Sequence, residues 1–138
     1  MGREDGGPAS RILASTIEGR TVKHDNLRER TKAYALRIIK MFAALPKADA
    51  ARTLGKQALR SGTAVAANYR EASRARSNAE LSAKLGLVEQ ELDETLLWLE
   101  LLGESGIVKT ERLAALVDET EQLLRMIVAA QKTLKGRR

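Results

Sequence analysis

The sequence predicts an all-α fold, an antiparallel up-and-down four-helix bundle with a flexible N-terminal arm. Three observations carry that expectation. Aromatic residues are only 3% of the chain and prolines only two, while the strong helix formers Ala, Leu, Glu, Lys and Arg dominate. Apolar residues recur at three- and four-residue steps in four successive segments. Between those segments stand helix stop and start signals: Pro46, the run Ser77-Asn78-Ala79-Glu80, and the pair Gly103 and Gly106. With 138 residues, 43% of them hydrophobic, the chain has the material for one domain with an aliphatic core.

Residues 1–25 hold two glycine clusters, a proline and no sustained periodicity, and read as a mobile arm with a short helical turn around Ile12 to Ile17. The bundle is expected over residues 26–134, with a basic tail at 135–138. Tyr34, Ile38, Met41, Phe42 and Leu45 give the first amphipathic helix, stopped by Pro46. In the second helix, Leu54, Ala58, Ser61, Val65, Asn68 and Ala72 fall within one sector of about 80° and are assigned to the core. Beside them runs a mostly small strip, Gly55, Gly62, Ala66 and Tyr69, which permits close approach of a neighbouring backbone.

Ser77 to Glu80 has the form of a capping box, with Ser77 accepting from the Glu80 amide and the Glu80 carboxylate reaching back to the Ser77 amide. The third helix then carries Leu81, Leu85, Val88, Leu92, Thr95, Leu99 and Leu102 at alternating four- and three-residue steps, a bundle seam. Its second apolar surface, Leu87, Leu97, Trp98 and Leu101, is more than a lone amphipathic helix needs and suggests an oligomer interface. Thr110 is expected to cap the fourth helix, whose core face is read as Leu113, Leu116, Val117, Leu124, Ile127 and Leu134.

Charge is unevenly spread. The net charge is +6, but residues 1–84 sum to +9, residues 85–131 to −7 and residues 132–138 to +4. Arg52, Lys56, Arg60, Arg70 and Arg74 lie nearly opposite the assigned core face of the second helix and form a basic stripe. Spaced guanidinium groups on a rigid helix can follow a phosphate backbone. The same stripe can equally serve solubility or attract the acidic half of another subunit. No helix-turn-helix, RNP-type aromatic motif, GXXG loop or zinc finger is present, so nucleic-acid binding would be electrostatic and without base readout.

Chemistry has little to work with here. There is no cysteine, and His24 is the single histidine, too few for a His-based metal site. Glu89, Asp93, Glu100 and Glu104 share a sector of the third helix but lack the Glu-x-x-His pattern of bundle metal sites, and read as a solvated acidic face or one that meets another subunit's basic stripe. Neither a nucleophile-base pair nor a cofactor loop is visible, so no catalytic residue, metal or cofactor is assigned. Asn68 on the core side is expected to fix register through a partner on a neighbouring helix, with ligand binding as the alternative. Tyr69 and Trp98 could stack on bases, but Trp98 suits an interface anchor better. No apolar run reaches signal-peptide or membrane-span length, which points to a soluble, cytoplasmic protein.

Two segments resemble a known family. Arg60-Ser61-Gly62-Thr63-Ala64-Val65-Ala66-Ala67-Asn68-Tyr69-Arg70-Glu71-Ala72 and Asp93-Glu94-Thr95-Leu96-Leu97-Trp98-Leu99-Glu100-Leu101-Leu102 are similar to the second and third helices of the bacterial 23S rRNA-intervening sequence proteins. The sequence departs from that pattern at Ala66, where glycine is usual, and at Leu81 and Leu97, where aromatics are frequent. The resemblance implies a four-helix bundle that often assembles as a homopentamer. A related branch resembles the accessory variability determinants of diversity-generating retroelements, basic pentamers that bind a reverse transcriptase and nucleic acid. Two functions therefore stand side by side: an oligomeric module binding RNA or DNA through the basic stripe, and a structural adaptor for a protein partner such as a reverse transcriptase.

Overall fold

A computed structural model describes residues 24–136. Four helices follow one another: α1 (His24–Ala43), α2 (Asp49–Ala72), α3 (Asn78–Glu104) and α4 (Thr110–Gly136). The arm expected before His24, with its turn around Ile12 to Ile17, lies outside the described residues. The bundle starts two residues earlier than the expected boundary. At the other end α4 continues through Lys135 and Gly136, into the expected tail.

Short connections reverse the chain at each end, and the contacts run antiparallel. Ile38 faces Gly62 while Phe42, one turn on, faces Gly55, about two turns back. Arg60 reaches Glu94, whereas Glu71 meets Lys84. Ser82 meets Gln131, whereas Gly103 lies against Thr110. Consecutive helices are packed side by side and α1 touches α4 more sparsely, which closes the square.

The core follows one rule in α3 and α4. Its buried positions alternate between three- and four-residue steps, which keeps a single stripe inward. On α3 the stripe is Leu81, Leu85, Val88, Leu92, Thr95, Leu99 and Leu102, all seven as expected. On α4 it is Leu113, Leu116, Thr120, Leu123, Ile127, Ala130 and Leu134. Here Val117 and Leu124 are only half-buried, and Thr120, Leu123 and Ala130 take the inner register.

Helix α2 corrects its expected face most. Its buried residues are Ala51, Gly55, Ala58, Ser61, Gly62, Val65, Tyr69 and Ala72, whereas Leu54 and Asn68 are half-buried. The small strip is thus part of the core. Without a Cβ at Gly62, Ile38 of α1 sits against the α2 backbone; an added Cβ would stand 2.8 Å from its Cγ1. At Gly55 an added Cβ would collide with Leu45 and Phe42. Close approach of α1 rotates α2 so that glycines, and not Leu54, face inward.

The turn into α3 is capped as a variant of the expected box. Ser77 accepts from the Glu80 amide at 3.0 Å, but the Glu80 carboxylate accepts from the Arg76 amide at 3.0 Å, one residue further back than Ser77. Gly103 lies inside α3, and Gly106 makes the turn with φ of 83°, the left-handed region where glycine carries no Cβ penalty. Thr110 is the first residue of α4.

One polar layer crosses this aliphatic core, with a hydroxyl from each helix. Tyr34 of α1 meets Thr120 of α4 at 2.7 Å, and Ser61 of α2 meets Thr95 of α3 at 2.6 Å. Thr95 and Thr120 donate to the carbonyls of Glu91 and Leu116, each at 2.7 Å. Burial pushes the Tyr34 phenol up to about 12, opposed by its hydrogen bond to Thr120.

Candidate nucleic-acid interface

The five cations of the expected stripe have different fates, and Arg74 lies past the end of α2, in the turn that follows it. Arg60 turns toward α3, where its Nη2 lies 2.6 Å from Glu94 Oε1 and its Nη1 3.3 Å from Glu91 Oε1. Much of its charge is therefore answered inside the chain. Arg52 leans the other way and stands over the Phe42 ring of α1, 5.8 Å from its centroid. Lys56 is exposed between them with no ion pair among the described residues.

Arg70 and Arg74 form the focus. With Lys32 of α1 they line a recess whose floor is Ala66 and Ala67. Glu71 is the acidic residue of that recess, and Lys84 of α3 binds its carboxylate at 2.7 Å. That contact raises the Lys84 ammonium above its ordinary value, chiefly through the hydrogen bond to Glu71. Lys32, Arg70 and Arg74 have no carboxylate partner among the described residues, so they present their charge to solvent. Lys32 belongs to α1, and the α2 pattern alone could not reveal it. Its signal is antiparallel pairing, which brings the first half of α1 beside the last turns of α2.

The remaining expected site residues have other settings. Asn68 is half-buried beside the core, and the Ser61–Thr95 and Tyr34–Thr120 pairs make interhelical hydrogen bonds within the core. Tyr69 is fully buried, so its ring is not presented to solvent for stacking on bases. Leu87, Leu97 and Leu101 are exposed by 41%, 45% and 38%, which leaves an apolar ridge along α3. Trp98 is half-buried beside it, with its indole N–H enclosed and unbonded among the described residues.

Glu89 and Asp93 border a shallow depression with Gly86, Gln90, Leu124 and Val128. Among the described residues no group of three or more His, Cys, Asp or Glu is placed to hold a metal ion. No helix among them is long and apolar enough to cross a membrane.

The comparisons with known proteins agree with this architecture. The fold is similar to the crystal structure of a protein of unknown function from the S23 ribosomal protein family of Bacteroides thetaiotaomicron VPI-5482, with a TM-score of 0.74 and 28% identity. The match covers 79% of this chain and 97% of that one. Among curated proteins none matches. The family model described as 23S rRNA-intervening sequence protein matches residues 24–129, from the start of α1 nearly to the end of α4. The chain belongs to the 23S rRNA-intervening sequence protein family.

Proposed function

We propose that this protein is a non-enzymatic, cytoplasmic bundle module that assembles as a homo-oligomer and binds RNA or another nucleic acid through the basic α1–α2 face. The observation that carries the reading is the convergence of Lys32, Arg70 and Arg74 around a recess also lined by Ala66 and Ala67, with the neighbouring Glu71 paired to Lys84. Methyl-sized floor residues let a phosphate approach all three cations, and two guanidinium groups offer bidentate donors. Arg52 and Lys56 extend the track along α2, whereas Arg60 contributes less because Glu91 and Glu94 compete for it.

Fluorescence anisotropy with labelled RNA at graded salt tests this directly. Affinity should fall steeply with salt, with about two to three units of the slope coming from these three cations at roughly 0.7–0.9 per phosphate contact, and K32E/R70E/R74E should abolish binding. Unchanged binding in the triple variant would refute the site. A second reading, an adaptor for a protein partner such as a reverse transcriptase, is favoured by the exposed leucines of α3. It expects negligible RNA affinity and loss of partner binding on L97S/L101S.

A further inference from the structure

Two large apolar residues of α1, Leu36 and Ile39, point away from the core, with 53% and 43% of their surface exposed. At about 100° per residue Lys32, Leu36, Ile39 and Ala43 fall within one sector of about 60°, and all four are exposed. Lys32 belongs to the basic recess, so this sector of α1 continues that site along the helix. Because Ile38 lies against Gly62 and Phe42 against Gly55, the α2 residues alongside the sector are Leu59, Thr63 and Ala66, each half-buried. The outer seam of α1 and α2 is therefore an aliphatic shelf. Lys32, Arg70 and Arg74 stand at one end of it, and Arg52 and Lys56 at the other.

The shelf has no free hydrogen-bonding group with which to choose a ligand. Thr63, its one polar member, turns its hydroxyl back onto α2 and donates to the Leu59 carbonyl at 2.8 Å. Its surroundings are strongly cationic: from Arg30 to Arg70 the chain has nine Lys or Arg against the single carboxylate of Asp49. An apolar strip within such a surface suits a polyanion that also carries flat apolar faces. A duplex keeps its base faces stacked inside and would lay phosphates on Leu36 and Ile39, which desolvation opposes. A single strand can place phosphates on the cations at both ends and turn unpaired bases onto the shelf. An anionic membrane fits less well, because two protruding side chains bury too little apolar surface to anchor a helix.

We propose that the Leu36–Ile39 shelf carries unpaired bases, so that the ligand of this face is single-stranded RNA, bound without regard to base identity. The inference rests on the nucleic-acid reading above and names its substrate class. Charge alone gives the opposite preference, since a duplex has the higher charge density. The α1–α4 groove, on the other flank of α1, supplies a control. It too is basic, rimmed by Arg37, Lys40, Lys109 and Arg112, but neither Leu36 nor Ile39 lines it.

The test is fluorescence anisotropy of the full chain with labelled oligo(U), oligo(C) and an RNA duplex of equal length at matched salt. Circular dichroism verifies folding and light scattering the subunit mass. Oligo(U) and oligo(C) should bind alike, and about tenfold tighter than the duplex. L36S/I39S should lose about five- to tenfold on the single strands, with the salt slope and the duplex affinity unchanged. L36M/I39M should bind as the wild type does, and R37E/R112E should keep the preference for single strands. A duplex bound as tightly as oligo(U), or a preference that survives L36S/I39S, would overturn the shelf while leaving RNA binding in place. A preference lost in R37E/R112E instead would move the site to the groove. Loss of subunit mass in L36S/I39S would make the pair a contact between copies, and loss of binding to phosphatidylserine vesicles with RNA affinity intact would make it a membrane contact; either overturns the proposal. A wild type that binds neither RNA form would remove the nucleic-acid reading itself, and the proposal with it.

Discussion

At the level of single residues, the closest tolerances lie between α1 and α2. An added Cβ at Gly62 would stand 2.8, 2.9 and 3.2 Å from Cγ1, Cγ2 and Cβ of Ile38, a fully buried β-branched residue that cannot swing aside. Gly62→Ala should lose about 1–3 kcal/mol to overpacking against roughly 1 kcal/mol gained in helix propensity, a net loss of up to ~2 kcal/mol in urea unfolding. Gly86→Ala is the control: its new methyl meets only the Gln131 amide at 3.5 Å, and it should stabilise by up to ~1 kcal/mol. Equal effects at the two sites would refute the close-approach argument. Tyr34 supplies a pH signature. Its phenol titrates near 10 in the unfolded chain and at about 12 in the fold, so the unfolded state loses its proton first as pH rises. The associated stability is complete below pH 10 and falls by about 2–3 kcal/mol by pH 12. Tyr34→Phe should remove that portion of the alkaline loss, and an unchanged pH profile would place the phenol in a wetter setting. The value of Gly62 was legible in the sequence, because a helix-interior glycine implies a packing reason. The polar layer was not: Ser61 and Thr95 fit their core registers, and only the fold shows that their hydroxyls find one another.

At the level of elements, the helices differ in how openly they declare their inner face. Helix α3 does so in full, because leucines occupy nearly every inward register. On α4, large residues at Val117 and Leu124 draw attention away from Thr120 and Ala130, whose small volumes are what the crowded interior accepts. On α2, size inverts the usual rule, since glycines lie inside and Leu54 stands half out. The α1–α4 seam is the more sparsely packed one and carries a polar clasp. Arg30 binds Glu119 with two hydrogen bonds of 2.8 and 2.9 Å and reaches Gln122 at 2.8 Å. That hydrogen bonding to Glu119 raises the Arg30 guanidinium further above its already high value. Removing Arg30 leaves a partly buried carboxylate, so Arg30→Ala should cost about 1.5–3 kcal/mol. A double-mutant cycle with Glu119→Ala should show a coupling of about 1–2 kcal/mol, and additivity would mean the clasp is replaceable by water. This contact also had no sequence signature, because Arg30 and Glu119 are 89 positions apart.

At the level of the whole molecule, charge has three destinations. Part of the basic first half is answered internally, through Arg60 with Glu91 and Glu94 and through Arg30 with Glu119. Part rims the α1–α4 groove, and part converges at Lys32, Arg70 and Arg74. The charge imbalance between the two halves of the chain was visible in the sequence, but its division among these three uses depends on which helices are neighbours. The central claim is that the last of them binds a polyanion on an assembled bundle. The most direct test is light scattering of the purified protein with and without an RNA pool, at about 50 and about 200 mM salt, for wild type and K32E/R70E/R74E. The account predicts an oligomer that gains mass with RNA at low salt, loses the gain at high salt, and gains none in the triple variant while keeping its own mass. An oligomer that ignores RNA at low salt, or a triple variant that binds as the wild type does, would contradict it.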